Sequence, residues 1–132
     1  KPRGEGAEDV AGRENQLFLE KGRTEDVNRV GNILSSAYYQ GSREVSAELG
    51  GIISQKVSST TGQKNRGLKE APLVVLDGMY YPACLIEAGF LSNAEEAKKL
   101  ASSSFQEKLA QAIAQAIDDF SRSPKFKSFL GE

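Results

Sequence analysis

Residues 73–93 read L-V-V-L-D-G-M-Y-Y-P-A-C-L-I-E-A-G-F-L-S-N, and the fold class turns on them. Leu73–Leu76 follows Pro72 and is apolar at every position. A strand of that kind has both faces covered, so it belongs inside a sheet. Ala83–Glu87 is the second such run. The connection from Asp77 to Pro82 is too short for a helical crossover, so the two strands are antiparallel if they pair.

Outward from this stretch the pattern is helical. Toward the C-terminus, Asn93 caps a helix with Glu95 and Glu96 in its first turn, where carboxylates suit the helix dipole. Ser104 and Glu107 read as a capping box for a last helix. Its apolar stripe is Phe105, Leu109, Ile113, Ile117 and Phe120. The tail after Pro124 has no regular period. Toward the N-terminus, Ser58–Glu70 is loop, and Arg43 to about Ser58 is helix with Val45, Leu49, Ile52 and Ile53 on one face. Gly41 and Ser42 mark either a break or a point inside one bent helix. Thr24 caps a helix that carries Val27, Val30, Ile33, Leu34, Ala37 and Tyr38, and a weaker helix spans Ala7 to Glu20. Two strands among four or five helices are an unbalanced inventory. A lone two-stranded sheet is not stable in water, so the reading is α/β, the edge half of a larger sheet.

The composition narrows the chemistry. The 132 residues are one domain's worth, 39% apolar and 27% charged, with a net charge of −1. Near-neutral charge gives no electrostatic reason to bind nucleic acid or an anionic membrane. No apolar run approaches the roughly 20 residues of a membrane span. One Cys excludes an internal disulfide. The absence of His excludes His general bases, Ser-His-Asp triads and the usual nitrogen ligand of zinc. The chain opens on Lys1 with no apolar signal segment, which reads as processed, trimmed or a piece of a longer protein.

Glu87 ends an apolar strand, where ligand sites of open α/β sheets gather. It serves either as a general base and acid or as a sheet-end carboxylate that bonds a loop backbone. Cys84 reads as a small buried hydrophobe rather than a nucleophile, because no His activates it. Lys56, Lys64, Arg66 and Lys69 form an acid-free positive stretch. Solvated surface is its ordinary meaning, and Arg66 and Lys69 are the members that could position an anionic substrate group. Tyr80 and Tyr81 either line a sugar site or seal a strand end.

Taken together, R-G-L-K (66–69), L-V-V-L, P-A-C-L-I-E-A-G-F-L-S-N, E-E-A-K-K-L and F-Q-E-K-L-A-Q-A-I-A-Q-A-I resemble the C-terminal half of a zinc-dependent N-acetylmuramoyl-L-alanine amidase catalytic domain. The motifs run from about Arg66 to Phe120 in the family's order. A-G-R-E-N (11–15) and the helix from Thr24 resemble, more weakly, the helical insert of periplasmic cell-division amidases. The resemblance implies a single-sheet three-layer α/β domain, with residues 1–65 a helical, regulatory-like insert and residues 66–132 the C-terminal part of the catalytic domain. It implies hydrolysis of the amide between N-acetylmuramic acid and L-alanine in peptidoglycan, by a zinc-activated water with Glu87 as the proton-handling residue. Arg66 and Lys69 would face substrate. A periplasmic or cell-wall location follows, and an activator protein at the helical region. The family's zinc ligands, two His and a Glu, have no counterpart here, so no metal ligand is assigned and no tight zinc binding is expected. Alone, the chain should be inactive. The alternative is a non-catalytic helical module that binds a partner or occludes an active site, with Glu14, Glu20 and Glu25 as carboxylates that could reach a metal. Left alone, the two apolar strands should either associate with another chain through their edges or leave a loosely packed, helix-dominated species.

Overall fold

The computed structural model describes residues 6–19 and 32–132. Among the described residues five α-helices follow in order: α1 Ala7–Leu19, α2 Asn32–Thr61, α3 Ala94–Leu100, α4 Ser103–Ser121 and α5 Pro124–Leu130. Helix α4 packs along α2, α5 folds back onto both, and α3 sits against α4. The Thr24 cap and the start of the helix behind it lie outside the described residues.

The core is a helix–helix seam. Helix α2 contributes Ser42, Val45 and Ile53, and α4 contributes Phe105, Ala112, Ala116 and Phe120. Ala112 and Ala116 are both 0% exposed. Side chains this small let two helix backbones approach closely. The stripe expected on α4 therefore needs one correction, since Ile117 is 50% exposed. At 100° per residue the buried face centres near Ala116, and Ile117 stands roughly 100° away. Gly41 interrupts nothing: α2 runs through it as one helix.

Local chemistry sets the remaining boundaries. Asn93 Oδ1 accepts from the Glu95 and Glu96 backbone N–H groups at 3.1 Å each, capping α3. The Ser104–Glu107 box does not form, because α4 begins earlier, with Ser102 at its N-cap. Gln106 Nε2 instead donates to the Leu100 carbonyl at 2.8 Å, and Glu107 accepts from Gln111. The tail is helical after all. Ser123 Oγ accepts from Phe126 N at 3.2 Å, Pro124 occupies the first turn, and Gly131 closes α5 in the left-handed region. Each is a known start or stop signal.

The two expected strands are absent. Among the described residues there is no sheet, only an isolated bridge position at Glu70. Val74–Leu76 forms one 3-10 turn, and Ala83–Glu87 is irregular, with no ladder. The α/β expectation, and the three-layer domain with it, is overturned: what is described is a helical fold. The physical reason is pairing. A strand needs partners for its N–H and C=O groups, and side chains supply them here. Asn15 of α1 donates to the Pro72 carbonyl at 2.7 Å and accepts from Val74 N at 2.8 Å. Its amide thus does what a peptide unit of a neighbouring strand would do. Ser46 Oγ of α2 likewise accepts from Ala83 N at 3.0 Å. Among the described residues no helix is long and apolar enough to cross a membrane.

Candidate functional site

A cavity of about 580 Å³ lies between α1, the middle of α2, the loop after α2 and the segment 83–90. The loop reaches α2 at Gly50, where a Cβ would lie 2.6 Å from Leu68 Cδ1. A side chain at Gly50 would make Leu68 move. Glu87, Arg66 and Lys69 all line the cavity, so the folded chain brings the three sequence-predicted residues to one place. Their surroundings differ.

Glu87 is exposed, and its carboxylate has no hydrogen bond or ion pair among the described residues. Lys69 is also exposed, and its Nζ lies 3.1 Å from where a Cβ on Gly6 would stand, at the start of α1. Arg66 is engaged. Its Nη2 pairs with Glu96 Oε1, and its guanidinium lies 5.1 Å from the centre of the Phe90 ring. The other oxygen, Glu96 Oε2, accepts from Phe90 N at 2.7 Å. The Phe90 N–H, and then Arg66, hold the Glu96 carboxyl below the ordinary carboxylate range. Gln63 Nε2 donates to the Ala88 carbonyl at 3.0 Å. Between them Gly89 has φ +156°, and a Cβ there would meet Glu96 Oε2 at 3.1 Å.

Of the residues immediately after Glu87, Ala88 and Phe90 are thus each held by a side chain, through the Ala88 carbonyl and the Phe90 N–H. Sequence reading missed Glu96 and Gln63 in this role. Glu96 shows in the sequence only as a first-turn acid of α3, and nothing local marks Gln63. Of the positive stretch, Lys56 pairs with Asp119 at 2.8 Å and Arg66 with Glu96, which among the described residues leaves Lys64 and Lys69 without an ion pair. Cys84 is half-buried on the cavity wall, and burial pushes its thiol above the ordinary value. That suits a small hydrophobe. Tyr80 and Tyr81 lie on the surface away from the cavity, with Tyr81 edge-on to Phe129 at 6.5 Å.

The zinc of the resembling family does not fit these residues. Among the described residues no three His, Cys, Asp or Glu side chains converge, and the chain has no His. Glu14 is half-buried on α1, and Glu20 and Glu25 lie outside the described residues.

Comparison with known proteins places the chain. It is 35% identical over 82 residues to the uncharacterized protein YqiI of Bacillus subtilis, covering 62% of this chain and 39% of that one. It is 33% identical over 81 residues to the N-acetylmuramoyl-L-alanine amidase LytC of the same organism, covering 60% of this chain and 16% of LytC. It is 33% identical over 72 residues to the N-acetylmuramoyl-L-alanine amidase AmiA of Escherichia coli, covering 54% of this chain and 25% of AmiA. The chain therefore spans well under half the length of these relatives. No solved structure matches it. The family pattern of the N-acetylmuramoyl-L-alanine amidases (Amidase_3) matches residues 27–119, from before α2 to near the end of α4, with the cavity's Arg66, Lys69 and Glu87 inside the match. The chain belongs to the N-acetylmuramoyl-L-alanine amidase family.

Proposed function

We propose that these residues serve hydrolysis of the amide between N-acetylmuramic acid and L-alanine in peptidoglycan, with Glu87 as the proton-transferring group. Water adds to the lactyl carbonyl carbon while Glu87 takes its proton. The carbon–nitrogen bond then breaks, and the same proton passes to the departing alanine nitrogen. The observation that carries this reading is a carboxylate without a partner among the described residues, on the wall of a cavity within the family match. Lys69 supplies a positive charge on the same wall for an anionic substrate group.

Members of this family generally depend on zinc. The residues here do not provide for it, and no step above uses it. Hydrolysis by these 132 residues alone is not expected. Calorimetric titration with zinc should show no tight stoichiometric site, and a stable one-to-one complex would overturn that. For Glu87, the test is Glu87→Gln with residues 66–120 placed in an intact family domain. Turnover should fall about a hundredfold with zinc content unchanged. A near wild-type rate would make Glu87 structural.

The division into a helical, regulatory-like region (1–65) and a catalytic-domain part (66–132) is part of this proposal, as are a periplasmic or cell-wall setting and a role in cell division. One observation favours a regulatory second reading. Asp9, Val10 and Arg13 of α1 line the same cavity as Glu87, so α1 forms part of its wall. An activator protein that drew α1 away would widen access. Removing residues 1–19 should then strengthen binding of a muramoyl-L-alanine ligand, and unchanged or weaker binding would sink the covering role.

A further inference from the structure

We propose that Arg66 and Glu96 are positioning residues for Glu87: they hold the irregular Ala88–Phe90 segment so that the Glu87 carboxylate stands at the cavity. The inference rests on the reading of Glu87 as the proton-transferring group. It changes the assignment of Arg66, whose charge is directed at the protein's own segment rather than at substrate.

The argument starts from what Glu87 lacks. It has no partner of its own among the described residues, and it sits in a segment without a sheet to hold it. A free carboxylate on an irregular segment samples many directions, and that spread lowers the fraction of time it is aligned for proton transfer. Order must come from the neighbouring backbone. Two of the three residues that follow, Ala88 and Phe90, are tied from two directions. Glu96 on α3 takes the Phe90 N–H with one oxygen and Arg66 with the other, so one carboxylate bridges the segment and the loop. Arg66 also covers the Phe90 ring, which restrains the side chain that ends the segment. Gln63 holds the Ala88 carbonyl.

The anchors have different rigidity. Glu96 lies in the first turn of α3, which Asn93 caps, and its side chain is only 13% exposed. Charge-assisted hydrogen bonds of this kind are stronger and more directional than neutral ones. Arg66 suits the role better than Lys would, because a planar guanidinium can pair with a carboxylate and lie on a ring together. At Gly89 a Cβ would press on Glu96 Oε2 at 3.1 Å and make Glu96 give way, so a glycine two residues after Glu87 leaves that carboxylate undisturbed.

Two measurements on the full chain test this. In the first, backbone order at Glu87 is read by nitrogen-15 relaxation in wild type, Arg66→Met, Glu96→Gln and Arg66→Lys. Order at residues 87–90 should fall in the Met and Gln variants and recover in part with Lys, while Ala112 and Ala116 stay unchanged. Unchanged order at Glu87 with a freed Phe90 amide would overturn the proposal, because the network would then end at Phe90. In the second, an N-acetylmuramoyl-L-alanine amide is titrated against Arg66→Met, Glu87→Gln and the double variant. Arg66→Met should weaken binding about tenfold, and the double variant should bind no more weakly than Glu87→Gln alone. Additive losses would mean that Arg66 acts independently of Glu87, which also overturns it. If wild type shows no binding, the amidase reading fails, and the relaxation measurement still decides whether Arg66 and Glu96 order Glu87.

Discussion

Between Ser42 and Ile53, α2 buries Val45 and Ile53, whereas Val74, Val75, Leu85 and Ile86 stay between 38% and 40% exposed. Both regions are rich in branched aliphatic residues. They differ in where their backbone groups go. A helix closes its own hydrogen bonds and needs only one neighbour for its apolar stripe. An extended run closes none and needs strands on its edges before burial becomes worthwhile. The 73–87 region lacks such partners among the described residues, and two polar side chains, Asn15 and Ser46, replace them at three backbone groups.

The contrast predicts unequal mutational costs. Phe120→Ala removes a buried ring that lies 4.7 Å from Phe126. It should cost about 3 kcal/mol of unfolding free energy in urea titration. A cost under about 1 kcal/mol would show that the seam is not the main source of stability. Ala116→Leu forces extra volume between α2 and α4 and should cost about 2 kcal/mol. Asn93→Ala removes the cap of α3 and should cost about 1 kcal/mol, with exchange of the Glu95 and Glu96 amides as the local check. At the other end of the range, Ile86→Ser should change unfolding free energy by less than about 0.5 kcal/mol. The same substitution should lower self-association in sedimentation, because it weakens an unpaired apolar edge. A compact monomer with strongly protected Val74, Val75, Leu85 and Ile86 amides would break the comparison.

A pH titration sharpens it further. The Glu96 carboxyl is held below its ordinary range by Phe90 N–H and Arg66. Its folded value is therefore lower than its unfolded one. The stabilisation is complete above the ordinary glutamate value of about 4.3 and is lost as pH falls through the lowered folded value. Phe90 amide exchange, corrected for its intrinsic rate, should accelerate in that acid window and become insensitive to it in Glu96→Gln. A wild-type amide that stays protected throughout would show that Glu96 does not govern the segment.

The helical half of this molecule was legible because its signals are local. The Asn93 cap, the α4 helix apart from Ile117 and its Ser104–Glu107 box, and the helical run after residue 43 read directly as period and cap. The α5 signals were present too, as Ser123, Pro124 and Gly131, but short helices carry too few apolar repeats to stand out. The strands misled for a physical reason: apolar runs report a tendency to be covered, not the presence of covering strands. For the site, residue type and motif brought Glu87, Arg66 and Lys69 to attention, and the fold sets them around one cavity. What no local pattern encodes is that Arg66 and Glu96, 30 positions apart, meet beside that segment.

Cys84 adds a kinetic consequence. It is the chain's single thiol, and it sits on the unpaired segment with its proton held more tightly by burial. Alkylating reagents attack the thiolate, so the closed segment should label slowly at neutral pH. Whatever changes the cover over 83–87, whether a pairing strand or a departing α1, changes that labelling rate. The natural sequence thus carries its own clock for the opening and closing of the edge.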